Sequence, residues 1–227
     1  MRKILVAFVT ALLSITANSQ ELSQVSFAGG TTFTSFAFLA DRDILIRVSD
    51  DGRILEWGIE VLSQRYNYYA PKLQPYLGRV DYYGAEADSV SRGKIKSIGT
   101  IVFTYYGAYE MEYKVGKIRT IGTMILDYFS NFENASLKGK LHYIGTLGIE
   151  YYSSFENESY RGKIRSIGST PITYHSSFDD KLIRGKIKSI GPIQFSWYTS
   201  LDKIGYGGGL KSGNYRQPVS GVTYILQ

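Results

Sequence analysis

The chain has 227 residues, a formal charge of +6, 20 tyrosines and no cysteine. The missing cysteine excludes disulfides and thiolate metal sites, and so mild a charge does not by itself point to nucleic acid. Abundant tyrosine and 24 glycines favour strands and turns over helices.

The first residues read as an export signal. Arg2 and Lys3 precede an apolar run, Ile4 to Ile15, broken only by Thr10 and Ser14. Ala17-Asn18-Ser19 supplies small residues for cleavage before Gln20, so residues 1–19 are expected to be removed. The run is too short to span a bilayer, and no later stretch is long and apolar enough for a membrane helix. The expected location is the periplasm, the cell surface or the medium, with no transmembrane anchor.

Residues 20–76 are expected to form an N-terminal β cap and loop. Val25, Phe27 and Phe33 to Leu39 alternate with small polar residues, and Ile44, Ile46 and Val48 alternate with Asp43, Leu45 and Arg47. Asp51-Gly52 between apolar runs predicts a hairpin. Gly52 to Gly58 has the spacing of the repeat described next. Pro71 and Pro75 argue against an interior strand after Leu62.

Residues 77–204 are organised by one stretch, Gly93-Lys94-Ile95-Lys96-Ser97-Ile98-Gly99. It returns at Gly116, Gly139, Gly162 and Gly185, every 23 residues without insertion. The columns are as regular as the period. Ile95, Ile118, Leu141, Ile164 and Ile187 form one, and Tyr82, Tyr105, Tyr128, Tyr151, Tyr174 and Trp197 another. Tyr83, Tyr106, Phe129, Tyr152, His175 and Tyr198 follow directly. A last apolar column, Tyr109, Phe132, Phe155, Phe178 and Leu201, precedes an acid in every copy. Each unit reads as two short strands, about Lys94 to Ile98 and Ile101 to Tyr106, joined by a tight turn at Gly99. Ile98 breaks the inside–outside alternation, which predicts a bulge or the start of the turn. Residues 205–227 are expected to form a C-terminal cap, with a glycine-rich turn and a final strand from Val219 to Leu226 that covers the open edge of the array.

The predicted fold is all-β: a single-sheet antiparallel meander of hairpins with β caps at both ends, the alternative being a β-solenoid. The column Lys94, Lys117, Lys140, Lys163 and Lys186 favours the meander. Stacked at strand spacing, like charges repel by about 0.9 kcal/mol per pair in water, and two strands apart by about half that. The units resemble MORN repeats, 23-residue hairpins that open on Tyr-x-Gly-x-aromatic; Tyr160-Arg161-Gly162-Lys163-Ile164 is the nearest copy. The likeness is one of period and hairpin type. It implies a scaffold or interaction surface without its own active site.

The two histidines, His142 and His175, replace repeated structural residues, and the acids recur in every unit, whereas a catalytic site is normally unique. The dense cluster Asp41, Arg42, Asp43, Asp50 and Asp51 looks like turn chemistry. No enzyme activity, cofactor or metal is therefore expected. By strand parity, Lys94, Lys96, Tyr106, Lys117, Lys140, Tyr152, Lys163, Lys186 and Tyr198 fall on one face, with two readings: ordinary cross-strand pairing with rings packed over lysine stems, favoured because aromatic columns hold sheets together, or an exposed stripe of cations and rings that binds a ligand. The expected role is a structural or binding scaffold for cell-envelope glycan, lipid or protein, and not for nucleic acid. The competing readings are a self-assembling fibre subunit and, from strands that look too short, an outer-membrane barrel.

Overall fold

A computed structural model describes residues 21–40, 43–63, 68–69, 72–132, 135–202 and 206–227. The expected export signal, and Asp41 and Arg42 of the acidic cluster, lie outside these residues.

The repeats form an open sheet of eleven strands, from Val80–Tyr82 to Ile193–Gln194, each paired with its neighbours in chain order. This is the antiparallel meander, not a solenoid and not a closed barrel. Within each unit Ile98 pairs with Ile101, Ile121 with Met124, Ile144 with Leu147 and Ile190 with Ile193. The intervening turn has two residues, the first a glycine at φ +57° in the case of Gly99. A glycine at the first central position suits the II′ hairpin turn.

Between units the ladder slips by one residue. Thr104 pairs with Thr120 but Tyr105 with Ile118, so Arg119 is the extra residue. The same slip makes Lys96, His142, Arg165 and Lys188 the extra residue in their units. This is the bulge that the broken alternation predicted. It lets both isoleucines of the first strand point inward: Ile95, Ile98, Ile118, Ile121, Ile187 and Ile190 are all buried.

The terminal segments are β-structured, as expected, but they do not sit at opposite ends of the array. They form one seven-stranded sheet. Its centre is β1 (Leu22–Ala28), β2 (Thr32–Ala40), β3 (Ile44–Val48) and β4 (Ile54–Ile59). Val222–Ile225 pairs parallel with β1, joining the end of the chain to its beginning, and Gln74–Pro75 forms the far edge beside β4. Pro75 thus occupies an edge strand, where its missing N–H is tolerated. The single-sheet expectation holds for the repeats alone. Their apolar face is a broad surface that end caps could not cover, and the second sheet buries it. Phe36, Phe38 and Ile46 share one core with Ile98, Phe103 and Leu126.

Two hairpin turns of the second sheet also bond to the array. The Ile187 amide donates to the Gly30 carbonyl at 2.8 Å, and the Leu141 amide to the Asp50 carbonyl at 2.6 Å. Gly52, from the predicted Asp51-Gly52 hairpin, lies in the second sheet's turn rather than in a worn repeat. It passes directly under Tyr128: a Cβ there would lie 2.0 Å from the hydroxyl.

The glycine-rich stretch holds one more structural copy. Leu210–Ser212 pairs with Ser196–Trp197. The Gly208 amide donates to the Tyr198 carbonyl, as the Gly185 amide does to that of His175. Gly208 stands 23 residues after Gly185, but the missing isoleucines hid the register.

Gly52 and Gly93 have almost the same backbone, φ +80° and +77°, but nothing lies within 4 Å of a Cβ at Gly93. Gly93→Ala should therefore cost about 1–2 kcal/mol of backbone strain alone. Gly52→Ala should cost a further ~1–3 kcal/mol by overpacking against Tyr128. Urea unfolding of both variants checks this, and equal losses would contradict the close approach of the two sheets.

Candidate functional site

Three sets of repeated side chains compete for the role of a binding surface, and the structure separates them.

The first set is the Lys94 column, which is turned inward. The residue before each lysine is a glycine at positive φ, from +69° to +79° across the five units. This turns the lysine stem along the sheet instead of away from it. Lys163 donates to the carbonyl of Gly185 at 2.7 Å, and Lys140 to that of Gly162 at 3.3 Å. Lys94 and Lys117 reach Gly116 and Gly139 in the same way. Each ammonium also lies over the inner aromatic of its own unit: Lys94 over Tyr105 at 4.9 Å, Lys163 over Tyr174 at 5.1 Å, Lys186 over Trp197 at 4.4 Å. In the fifth unit the acceptor changes, and Lys186 donates to Gly29 of the second sheet at 2.7 Å. The rings are anchored in turn: Tyr105, Tyr128 and Tyr174 donate to the carbonyls of Ile95, Ile118 and Ile164, and the Trp197 indole to that of Ile187. Lys94, Lys117, Lys140, Lys163 and Lys186 are therefore staples between repeats, not an exposed binding row.

The second set is the outer face, where the bulge residues project. Lys96 lies over Tyr83 at 5.8 Å, Arg119 over Tyr106 at 5.7 Å and Arg165 over Tyr152 at 5.8 Å. His142 stacks on Phe129 with ring centroids 3.9 Å apart, and Lys211 lies over Tyr198 at 5.5 Å. Lys96 is exposed, as expected. Tyr106 is buried, and Tyr152 and Tyr198 are half-buried, because cations of the next unit cover their faces. Their hydroxyls are also used: Tyr83, Tyr106 and Tyr152 donate to the carbonyls of Phe103, Leu126 and Ile172. Acids are interleaved here, with Asp127 paired to Lys114 at 2.6 Å. The expected stripe thus divides into two ladders, and in each the rings are spent on holding the sheet together.

The third set is free. Tyr109 is 102% exposed, Phe132 87%, Phe155 98%, Phe178 92% and Leu201 95%. Tyr109, Phe155, Phe178 and Leu201 stand at the third position of a tight turn: the Glu110, Glu156, Asp179 and Asp202 amides donate to the carbonyls of Gly107, Ser153, Ser176 and Thr199. The side chain at that position is thrown outward. The sequence displays this column before the repeated acid, but its exposure is visible only in the structure.

The loops that carry the tips are tied down and tied together. Asp179 accepts from the Ser176 amide at 2.6 Å, and Asp202 from the Thr199 amide at 2.7 Å. This is the loop-amide chemistry expected of the repeated acids. Adjacent loops are bridged by Lys138 with Glu112 at 3.0 Å and by Asn157 with Ser177 at 2.9 Å. Ser200 donates to Asp180 in the next bridge. In the acidic cluster, Asp51 accepts from Ser49 and Arg53. Asp50 pairs with Lys140 at 3.1 Å. His175 is held below its ordinary pKa by burial, which outweighs the pull of Asp179.

The inner ladder gives the molecule a pH signature. Burial, with a smaller contribution from Lys186, pushes Lys163 down to about 8 from 10.5. Burial also lowers Lys94 and Lys186, and raises Tyr105, Tyr128 and Tyr174 above 10. From pH 8 to 10 the unfolded chain keeps lysine protons that the folded chain has lost, so stability rises with pH. Above pH 10 the unfolded tyrosines ionise first, and stability falls. Urea midpoints measured across this range should peak near pH 10. Lys163→Met should flatten the rise while leaving the fall above pH 10.

Phe129 is the one aromatic of its column without a polar atom, and the pattern of its neighbours places the carbonyl of Ile149 where a hydroxyl would reach. Phe129→Tyr should therefore stabilise the protein by about 1 kcal/mol, the net value of one hydrogen bond. A thermal melt that shows no gain would overturn the equivalence of these units. No protein-family model, curated protein or solved structure matches this chain, and its role rests on the geometry above.

Proposed function

We propose that this chain is an exported binding scaffold built from MORN-like hairpin repeats, which holds an extended partner at the cell envelope along its row of loop tips. The observation that carries this reading is the near-complete exposure of five large apolar side chains at one position of five successive units. Burying such a side chain is worth about 1.5–3 kcal/mol, yet the fold gains none of it here, and the row serves no packing purpose. The other repeated rings are engaged inside the sheet. The bridged loops support a row that is already in place before a partner arrives, which reduces the ordering cost of binding.

Lys96 and the outer-face cations cover the outer rings and have at most a supporting contact with the partner. Lys94 and its equivalents hold the repeats together and are not proposed to touch a ligand.

A variant with Tyr109, Phe132, Phe155, Phe178 and Leu201 all changed to Ser tests this directly. Its thermal unfolding should match that of the parent, because the substituted side chains are exposed. Its co-sedimentation with isolated bacterial cell envelopes should fall by about tenfold or more, a loss of ~1.4 kcal/mol in binding. A Lys96→Gln variant should sediment as the parent does. Undiminished sedimentation of the five-tip variant, or none by the parent, would overturn the reading.

A further inference from the structure

We infer that the row of tips takes a single chain of a β-1,4-linked polysaccharide, one tip to each disaccharide. The inference rests on the binding reading above and adds the class of ligand.

The spacing is the first argument. Equivalent residues of successive hairpins lie two strands apart, roughly 9.6 Å. In an extended β-1,4-linked chain each pyranose is turned over relative to the one before. The same sugar face therefore returns once per disaccharide, at a length close to that spacing. A ligand with its own period gains from five receptors at the same period, and only such a ligand meets all five in equivalent ways.

The chemistry of the tips is the second. A β-linked pyranose carries its hydroxyls at the equatorial rim and leaves its C–H face apolar. That face stacks on an exposed ring, with the rim free for polar partners. Four of the five tips are aromatic, Tyr109, Phe132, Phe155 and Phe178, and the fifth is Leu201. Beside them, Glu110 and Glu156 are exposed and open to sugar hydroxyls. The acid that follows every tip repels anionic lipid headgroups and polyanions, whereas it suits a neutral ligand rich in donors.

Calorimetric titration of the full chain with cello- and chito-oligosaccharides of increasing length tests the proposal. Affinity should rise by about fivefold with each added disaccharide, the order of one stacked ring, until all five tips are occupied. Phe155→Ala, at the centre of the row, should lose more affinity than Leu201→Ala at its end, and the five-tip serine variant should lose the length dependence entirely. Maltodextrins, whose α-linkage coils the chain, should bind no better than a monosaccharide. The proposal is overturned if neither β-linked series binds, if affinity is independent of length, or if maltodextrin binds equally. Tip-dependent binding to phosphatidylcholine vesicles without sugar binding would overturn the polysaccharide and leave the scaffold standing. Envelope binding that survives the five-tip variant would remove both.

Discussion

The one-residue slip between successive hairpins governs the rest of this molecule. A strand in strict alternation would send Ile95 and Ile98 to opposite faces. The extra residue, Lys96 in the first unit and Arg119 in the next, restores both isoleucines to one side. The sheet thereby gains an uninterrupted apolar face, and the bulged cation is pushed out where it covers the ring of the preceding unit. Inner core and outer ladder are two consequences of the same displacement. Because it recurs at constant length, the bonds that follow from it recur as well: inner ring to the carbonyl ten residues back, outer ring to the carbonyl twenty ahead, lysine to the carbonyl twenty-two ahead.

A face of eleven strands is more than an array can leave to water. The terminal segments of the chain resolve this by combining. The strand Val222–Ile225 lies parallel beside β1, and the joint sheet carries Phe36, Phe38 and Ile46 into the core of the array. Contact between the sheets also explains where the repeat loses its regularity. In the third unit Asp50 takes up both the Leu141 amide and the Lys140 ammonium. There Tyr151 is buried with its hydroxyl unpartnered, although Tyr105, Tyr128, Tyr174 and Trp197 donate to carbonyls. The second sheet imposes its own hydrogen bonds at the expense of the repeat's.

The same bonding separates structural rows from the one available for recognition. Tyrosines and lysines that look like ligand-binding residues in a list are, in the folded chain, occupied with each other and with backbone carbonyls. The loop tips lie beyond the last ladder bond and have nothing within the fold to contact. Their backbone is nevertheless fixed by turn bonds, capping aspartates and bridges between loops. Apolar side chains on a rigid and evenly spaced frame are what a binding edge requires.

Much was legible in the sequence. The constant period gave the unit of two strands and the turn at Gly99, and like-charge repulsion along the lysine column favoured the meander over a solenoid. The break in alternation at Ile98 announced the bulge, and Asp51-Gly52 announced its hairpin. Tertiary structure alone decided three other matters. It joined the two ends of the chain in one sheet, a pairing between segments some two hundred residues apart that no local pattern encodes. It turned the Lys94 column inward, since the positive-φ glycine before each lysine overrides the parity that placed Lys94 beside Lys96. And it left the Tyr109 column in water, because a side chain's burial depends on what packs against it, and among the described residues nothing covers those side chains.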